Sequence, residues 1–192
     1  MPETLAKLEF HPVTPDRWDD FEALFGARGC GGCWCMWFRL TRAEFEAQKG
    51  EGNRIAMRAI VESGEVPGIL AYADGRPVGW CSVAPREEFG LLERSRLLKP
   101  VDDRPVWSVV CFFIGKAYRR QGLTVALLRA AVDYAAAHGA EIVEGYPAEP
   151  KKADAPDVFL YHGTTSAFRE AGFVEVARPS ETRAIMRYVI RG

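Results

Sequence analysis

Phe112-Phe113-Ile114-Gly115-Lys116-Ala117-Tyr118-Arg119-Arg120-Gln121-Gly122-Leu123-Thr124 runs from an apolar strand through a short connection into a glycine-containing turn that opens a helix. Upstream, Val106 to Ile114 is β-branched and aromatic with almost no polar interruption, the pattern of a strand in the middle of a sheet. Downstream, Gln121 to His138 predicts the longest helix, with Arg129 and Asp133 as an i,i+4 pair and Gly139 as its C-terminal stop. The first amides of a helix have no internal partner and carry the positive end of its dipole, so they bind anionic oxygens. Gly122 removes a side chain from the approach, and Arg119 and Arg120 add charge. Together they make a cradle sized for a pyrophosphate. The stretch has one glycine where a dinucleotide fingerprint has three, and no Gly-Lys-Ser/Thr follows as in a P-loop.

Working outward, Leu8 to Val13 predicts a strand, and Thr14-Pro15-Asp16 a helix start whose apolar face is Trp18, Phe21, Leu24 and Phe25. The glycines between Gly26 and Gly32 argue against helix there. Thr41-Arg42-Ala43-Glu44 matches a capping box; Gly50 and Gly52 interrupt that helix, and Asn53 is placed to cap a second segment. Gly68 to Ala73 and Val78 to Val83 flank Asp74-Gly75 as a hairpin. Pro85 to Arg104 predicts a charged surface excursion with one short helix. Glu141 to Tyr146 predicts a strand, Thr164 to Ala171 a helix ending at Gly172, and Phe173 to Ala177 with Ala184 to Ile190 a terminal strand pair. This order predicts one α+β domain over residues 1–192, with helices flanking a mostly antiparallel sheet and one parallel strand-helix-strand unit between Trp107 and Tyr146.

The 192 residues carry 25 basic and 26 acidic side chains, which excludes a bulk electrostatic role toward nucleic acid or anionic lipid. No apolar run reaches the length of a membrane span, and the N-terminus lacks the pattern of a signal peptide, so a cytoplasmic protein without membrane or nucleic-acid partners is expected. The five cysteines, three of them at Cys30, Cys33 and Cys35, fit reduced thiols better than a secreted disulfide framework. Three close cysteines with dispersed histidines do not complete a zinc site, and no metal is expected.

Arg119-x-x-Gly122-x-Thr124 resembles the acetyl-CoA pyrophosphate motif of the GNAT acetyltransferase superfamily, with Thr124 where the family has Gly or Ala. The strand before it, the helix after it, and Phe168-Arg169-Glu170-Ala171-Gly172-Phe173 follow the family's order of elements over nearly the whole chain. The resemblance implies a GNAT-like fold and acetyl transfer from acetyl-CoA to a primary amine within a ternary complex. It implies that the backbone of Phe112, Phe113 and Ile114 pairs with the pantetheine arm, and that Arg119, Arg120, Gln121, Gly122, Leu123 and Thr124 hold the pyrophosphate. An acyl-CoA-binding or regulatory domain with weak or no catalysis is the alternative, because Phe168 stands where the family often has the tyrosine that protonates the leaving thiolate.

Acetyl transfer to an amine needs a neutral amine, a polarised carbonyl and a proton for the thiolate. Tyr161, with His162 beside it, is the candidate replacement acid. Glu144 is the candidate base, with Glu141 as its opposite-face companion. Ser82, Ser108 and Cys111 could hold a water or the thioester oxygen. Trp34, Trp37 and Trp80 are expected to line the acceptor pocket, with Met36, Phe38 and Trp107 near them, or else to seal the helix-to-sheet core. The terminal strands could close the sheet or join two chains, so both a monomer and a homodimer fit.

Overall fold

The computed structural model describes residues 7–149 and 161–191. Seven strands form one sheet in the order β1-β2-β3-β4-β5-β7-β6. They are β1 Leu8–Pro12, β2 Gly68–Ala73, β3 Arg76–Pro85, β4 Trp107–Ile114, β5 Ile142–Gly145, β6 Val174–Ser180 and β7 Arg183–Val189. The β4–β5 pair is parallel and the other neighbours run antiparallel. The central strand is therefore the one with the most continuous apolar sequence, because both of its faces are covered.

The helices are α1 Trp18–Phe25, α2 Gly29–Gly32, α3 Arg42–Ala47, α4 Glu51–Glu62, α5 Gly90–Arg94, α6 Leu123–Ala137 and α7 Thr165–Glu170. On one side of the sheet α6 packs Leu127, Leu128, Ala131 and Ala135 against Ile69, Cys81 and Val109. On the other, Trp18, Phe21 and Phe25 of α1 meet Trp80 and Leu70. The β2–β3 hairpin turns through Asp74 (φ 49°) and Gly75 (φ 75°), the paired left-handed residues that match strand twist. Thr41 caps α3 in a complete capping box.

Four local expectations change. The glycines do not prevent a helical turn at α2, but it is a distorted one in which Gly29, Cys30, Gly31 and Gly32 all have positive φ. Asn53 lies inside α4, where it is buried and its side-chain amide donates to the Gly32 carbonyl at 3.0 Å. It pins the α2 turn and caps nothing. The 85–104 excursion buries Arg86 and packs Phe89, Leu92 and Leu98 into a third core cluster with Phe38, Val110 and Ile185. Arg129 reaches across to the Glu170 carbonyl at 3.0 Å, tying α6 to α7. Among the described residues no helix is long and apolar enough to cross a membrane.

Candidate active site

β4 and β5 pair only from Trp107 to Val109, after which β4 continues alone to Ile114. The strands part because β5 ends at Gly145, and β4 runs on beyond it toward the start of α6. A cavity of about 340 Å³ lies there, bounded by Phe112, Ile114, Gly122, Thr124 and, from α7, Ser166 and Ala167. The turn before α6 forms part of its wall. There Arg120 (φ 60°) and Gly122 (φ 78°) are both left-handed, and Gly122 is the N-cap residue. Positive-φ residues in such a turn help gather amide N–H groups into a concave anion site. A Cβ on Gly122 would meet nothing within 4 Å, so the glycine serves backbone geometry and leaves the approach open.

Of the residues expected at the cofactor, Phe112, Phe113, Ile114, Arg119, Arg120, Gly122, Leu123 and Thr124 all border this cavity. Gln121 does not, because its side-chain amide turns back to the Ala117 carbonyl at 2.7 Å. This stretch of β4 is already partly engaged: the Phe112 amide donates to the Tyr161 carbonyl at 2.7 Å, and Arg119 Nε donates to the Ile114 carbonyl at 3.1 Å. Phe168 is fully buried, and a Cβ on either Gly145 or Gly163 would strike its ring. Two glycines thus make room for a core side chain at the position from which the resemblance would draw an acid.

A second cavity, about 260 Å³, lies on the other side of Phe112, Phe113 and Tyr161 and shares these three residues with the first. Cys30, Cys33, Cys35 and Cys111 form much of its wall, with Trp37 and Phe45 among the aromatic residues and His162 beside them. Cys30, Trp34 and Cys35 have positive φ, an arrangement that costs an L-residue about 1–2 kcal/mol and is held by surrounding contacts. Asn53 and the Gly50 amide, both bonded to the Gly32 carbonyl, supply part of that hold.

Tyr161 borders both cavities. Burial, then a hydrogen bond toward the Cys30 sulfur, keeps its phenol protonated well above the usual tyrosine range. Burial raises the Cys30 thiol and pushes Cys33 up to about 12. Cys35 lies 3.1 Å from the Cys111 sulfur, and that contact and burial raise it too. His162 is pushed down to about 4, by burial first and then by the Arg183 charge. Its Nδ1 lies 3.3 Å from the Val110 carbonyl, which makes that nitrogen the protonated one and leaves Nε2 as the ring's acceptor.

Glu144 is placed differently from its expected role. It is completely buried, borders neither cavity, and its carboxylate accepts from Arg187 Nε at 2.6 Å, the Tyr146 hydroxyl at 2.8 Å and Arg86 Nη1 at 3.3 Å. A fully buried carboxylate whose two oxygens are already bonded to Arg187, Tyr146 and Arg86 has no contact with either cavity, so its place is structural. Glu141 is exposed and pairs with Arg104 at 3.5 Å. Trp37 borders the second cavity, but Trp34 and Trp80 do not. The Trp34 ring stacks on Phe25 with centroids 5.6 Å apart and covers Gly29, while Trp80 is fully buried with Nε1 3.2 Å from Cys35 Sγ. Both seal the helix-to-sheet core; Met36 is buried in that core too, and Trp107 packs on Tyr134 and His138. Ser82 bonds to the Pro67 carbonyl and Ser108 to Tyr146, so of those three polar candidates Cys111 alone borders a cavity. Phe45 and the α7 residues Ser166 and Ala167 were not foreseen as cavity walls. The only hint in the sequence was their position on helices next to recognised loops.

Residues 34–155 match the model of the Acetyltransferase (GNAT) family. The chain belongs to the GNAT family. GNAT proteins carry out acyl-CoA-dependent acetyl transfer in general, and the matched span contains the cradle and the strand leading to it. Solved structures agree on the GNAT fold. A GNAT acetyltransferase from Streptococcus pneumoniae is similar at TM-score 0.56 and 15% identity, covering 96% of this chain and 100% of that one. One from Streptococcus agalactiae 2603 gives 0.58 at 12%, covering 96% of each chain. The PaiA N-acetyltransferase of Thermoplasma acidophilum, solved in complex with coenzyme A, gives 0.54 at 12%, with 96% and 99% covered. No curated protein matches the sequence significantly.

Proposed function

We propose that the chain acts as one N-acetyltransferase domain that moves acetyl from acetyl-CoA directly to a primary amine in a ternary complex. The observation carrying this reading is the meeting of two cavities at Phe112, Phe113 and Tyr161. One has an anion cradle in its wall and suits the cofactor; the other suits an acceptor. A thioester at the shared wall would be within reach of both. The free thiols Cys30, Cys33, Cys35, Cys81 and Cys111 suit the reducing cytoplasm, where we place the reaction.

In this mechanism the amine nitrogen attacks the thioester carbon, the C–S bond breaks, and sulfur leaves with the bond's electron pair. Tyr161 gives its proton to that thiolate and regains one from the nitrogen, directly or by way of solvent, so the net movement is one proton from N to S. It borders both cavities and carries its proton at neutral pH, and Phe168 supplies no alternative. His162, held near 4, has little drive to take the amine proton and serves as a neutral wall. Tyr161→Phe tests the assignment: kcat should fall about 10²- to 10⁴-fold, the usual range for a lost general acid, with acetyl-CoA affinity nearly unchanged. Unchanged kcat would remove Tyr161 from the mechanism. Tight acetyl-CoA binding with no thiol release for any amine would favour a binding domain.

A further inference from the structure

The second cavity has a composition that the acetyltransferase reading does not itself require. Its described walls are rings and thiols, together with the Tyr161 phenol and the His162 imidazole; among the described residues no carboxylate borders it. Acceptors with several amino groups need anionic partners, since each additional ammonium taken out of water must be compensated.

Its shape is equally selective. At about 260 Å³ it is smaller than the roughly 300–1,000 Å³ usual for small-molecule sites, so it takes a compact body. Trp37 and Phe45 meet edge to face with centroids 5.0 Å apart, and Trp37 is 37% exposed, which puts an aromatic surface where the cavity meets solvent. Phe113 adds a further ring to the wall, and Phe38, buried, stands edge-on to His162 at 5.6 Å.

Resting on the acetyltransferase reading, we propose that the acceptor is a small aromatic monoamine, bound as its neutral free base, with one amino group on an apolar ring body and no second charge. The ring lies among Trp37, Phe45 and Phe113, and the amino group points to the shared wall at Tyr161. The walls are themselves uncharged at neutral pH, because burial holds the Cys33 thiol and the His162 ring in their neutral forms. The site therefore selects the unprotonated amine, the form the chemistry consumes.

The test uses the full chain with saturating acetyl-CoA, thiol release as readout, and 4-methylaniline, 2-phenylethylamine, spermidine and a lysine-containing tetrapeptide as acceptors. Both aromatic amines should exceed spermidine and the peptide in kcat/KM by at least about 100-fold, the scale set by burying a ring against leaving a charge uncompensated. For 2-phenylethylamine, kcat/KM should rise about tenfold per pH unit from pH 7 to 9, following the free base, while 4-methylaniline stays flat. Spermidine or the peptide matching the aromatic amines would overturn this inference and leave the acetyltransferase reading intact. No acceleration by any amine, with acetyl-CoA still bound, would overturn the acetyltransferase reading. In that case saturable quenching of tryptophan emission by 4-methylaniline and not by spermidine would still support the aromatic site, and its absence would end it.

Discussion

Replacing Glu144 by alanine separates a structural carboxylate from a catalytic one. The substitution removes the acceptor for Arg187 Nε, the Tyr146 hydroxyl and Arg86 Nη1, in a site where both arginines are only 7% exposed. Breaking a buried ion pair from one side costs about 3–5 kcal/mol, because a charge is left without compensation. The lower end applies, since each arginine keeps other partners. Arg187 retains Asp102 at 2.6 Å, and Arg86 retains the Leu92 and Leu98 carbonyls at 3.2 and 2.6 Å and Glu93 at 3.3 Å. A loss of about 3 kcal/mol corresponds to a fall in Tm of about 6–12 °C for a chain of this size. Thermal unfolding followed by circular dichroism, with urea titration at 25 °C alongside, measures it. Glu144→Gln keeps the acceptor oxygen and should lose less than Glu144→Ala. In folded Glu144→Gln, kcat with a good acceptor should stay within a few fold of wild type. An unchanged Tm in Glu144→Ala together with a kcat loss of 100-fold or more would refute the structural assignment and return Glu144 to the role of base.

At the cradle, Gly122→Val forces a β-branched residue to φ 78°, costing about 1–2 kcal/mol in backbone energy or rearranging the turn; acetyl-CoA affinity by calorimetry should fall at least severalfold. Arg119→Ala with Arg120→Ala should weaken coenzyme A binding by roughly 2–4 kcal/mol, and an unchanged Kd would contradict the cradle. For His162 the folded pKa of about 4 lies below the unfolded value of about 6.5, so the unfolded chain binds more protons between these values. Its stability contribution is present above pH 6.5 and is lost as pH falls toward 4, by up to about 3 kcal/mol. Urea midpoints of wild type and His162→Gln should therefore converge on acidification through that window. Cys33, pushed up to about 12, should alkylate slowly at pH 8, and its rate should climb about tenfold per pH unit without levelling off near 9, as peptide mass spectrometry would show.

The features that were legible in the sequence are those encoded over short spans. The cradle lies within thirteen consecutive residues, the capping box within four, and the hairpin turn in Asp74-Gly75. The buried central strand announces itself by composition. The role of Glu144 was not legible because its partners Arg86 and Arg187 lie 58 and 43 residues away, on segments that read as surface and as sheet edge. Trp34 and Trp80 were ambiguous for a different reason. Which way a tryptophan faces in a turn depends on backbone handedness, and Trp34 at φ 47° adopts a conformation that its residue type does not advertise. The pairing of Cys111 with the Cys30–Cys35 cluster also needed the fold, since β4 brings it to Cys35 across 76 residues.

The two cavities draw on different materials. The first cavity has at its turn the main-chain geometry of Arg120 and Gly122, which many side-chain replacements would leave intact, whereas the second is walled by side chains of residues 30–45, 111–113 and 161–162. Under the proposed function, drift in the 30–45 segment would retune which molecule is acetylated while the means of holding coenzyme A is inherited unchanged. Among the described residues Phe112, Phe113 and Tyr161 alone border both cavities, and divergence among close relatives should be slowest there.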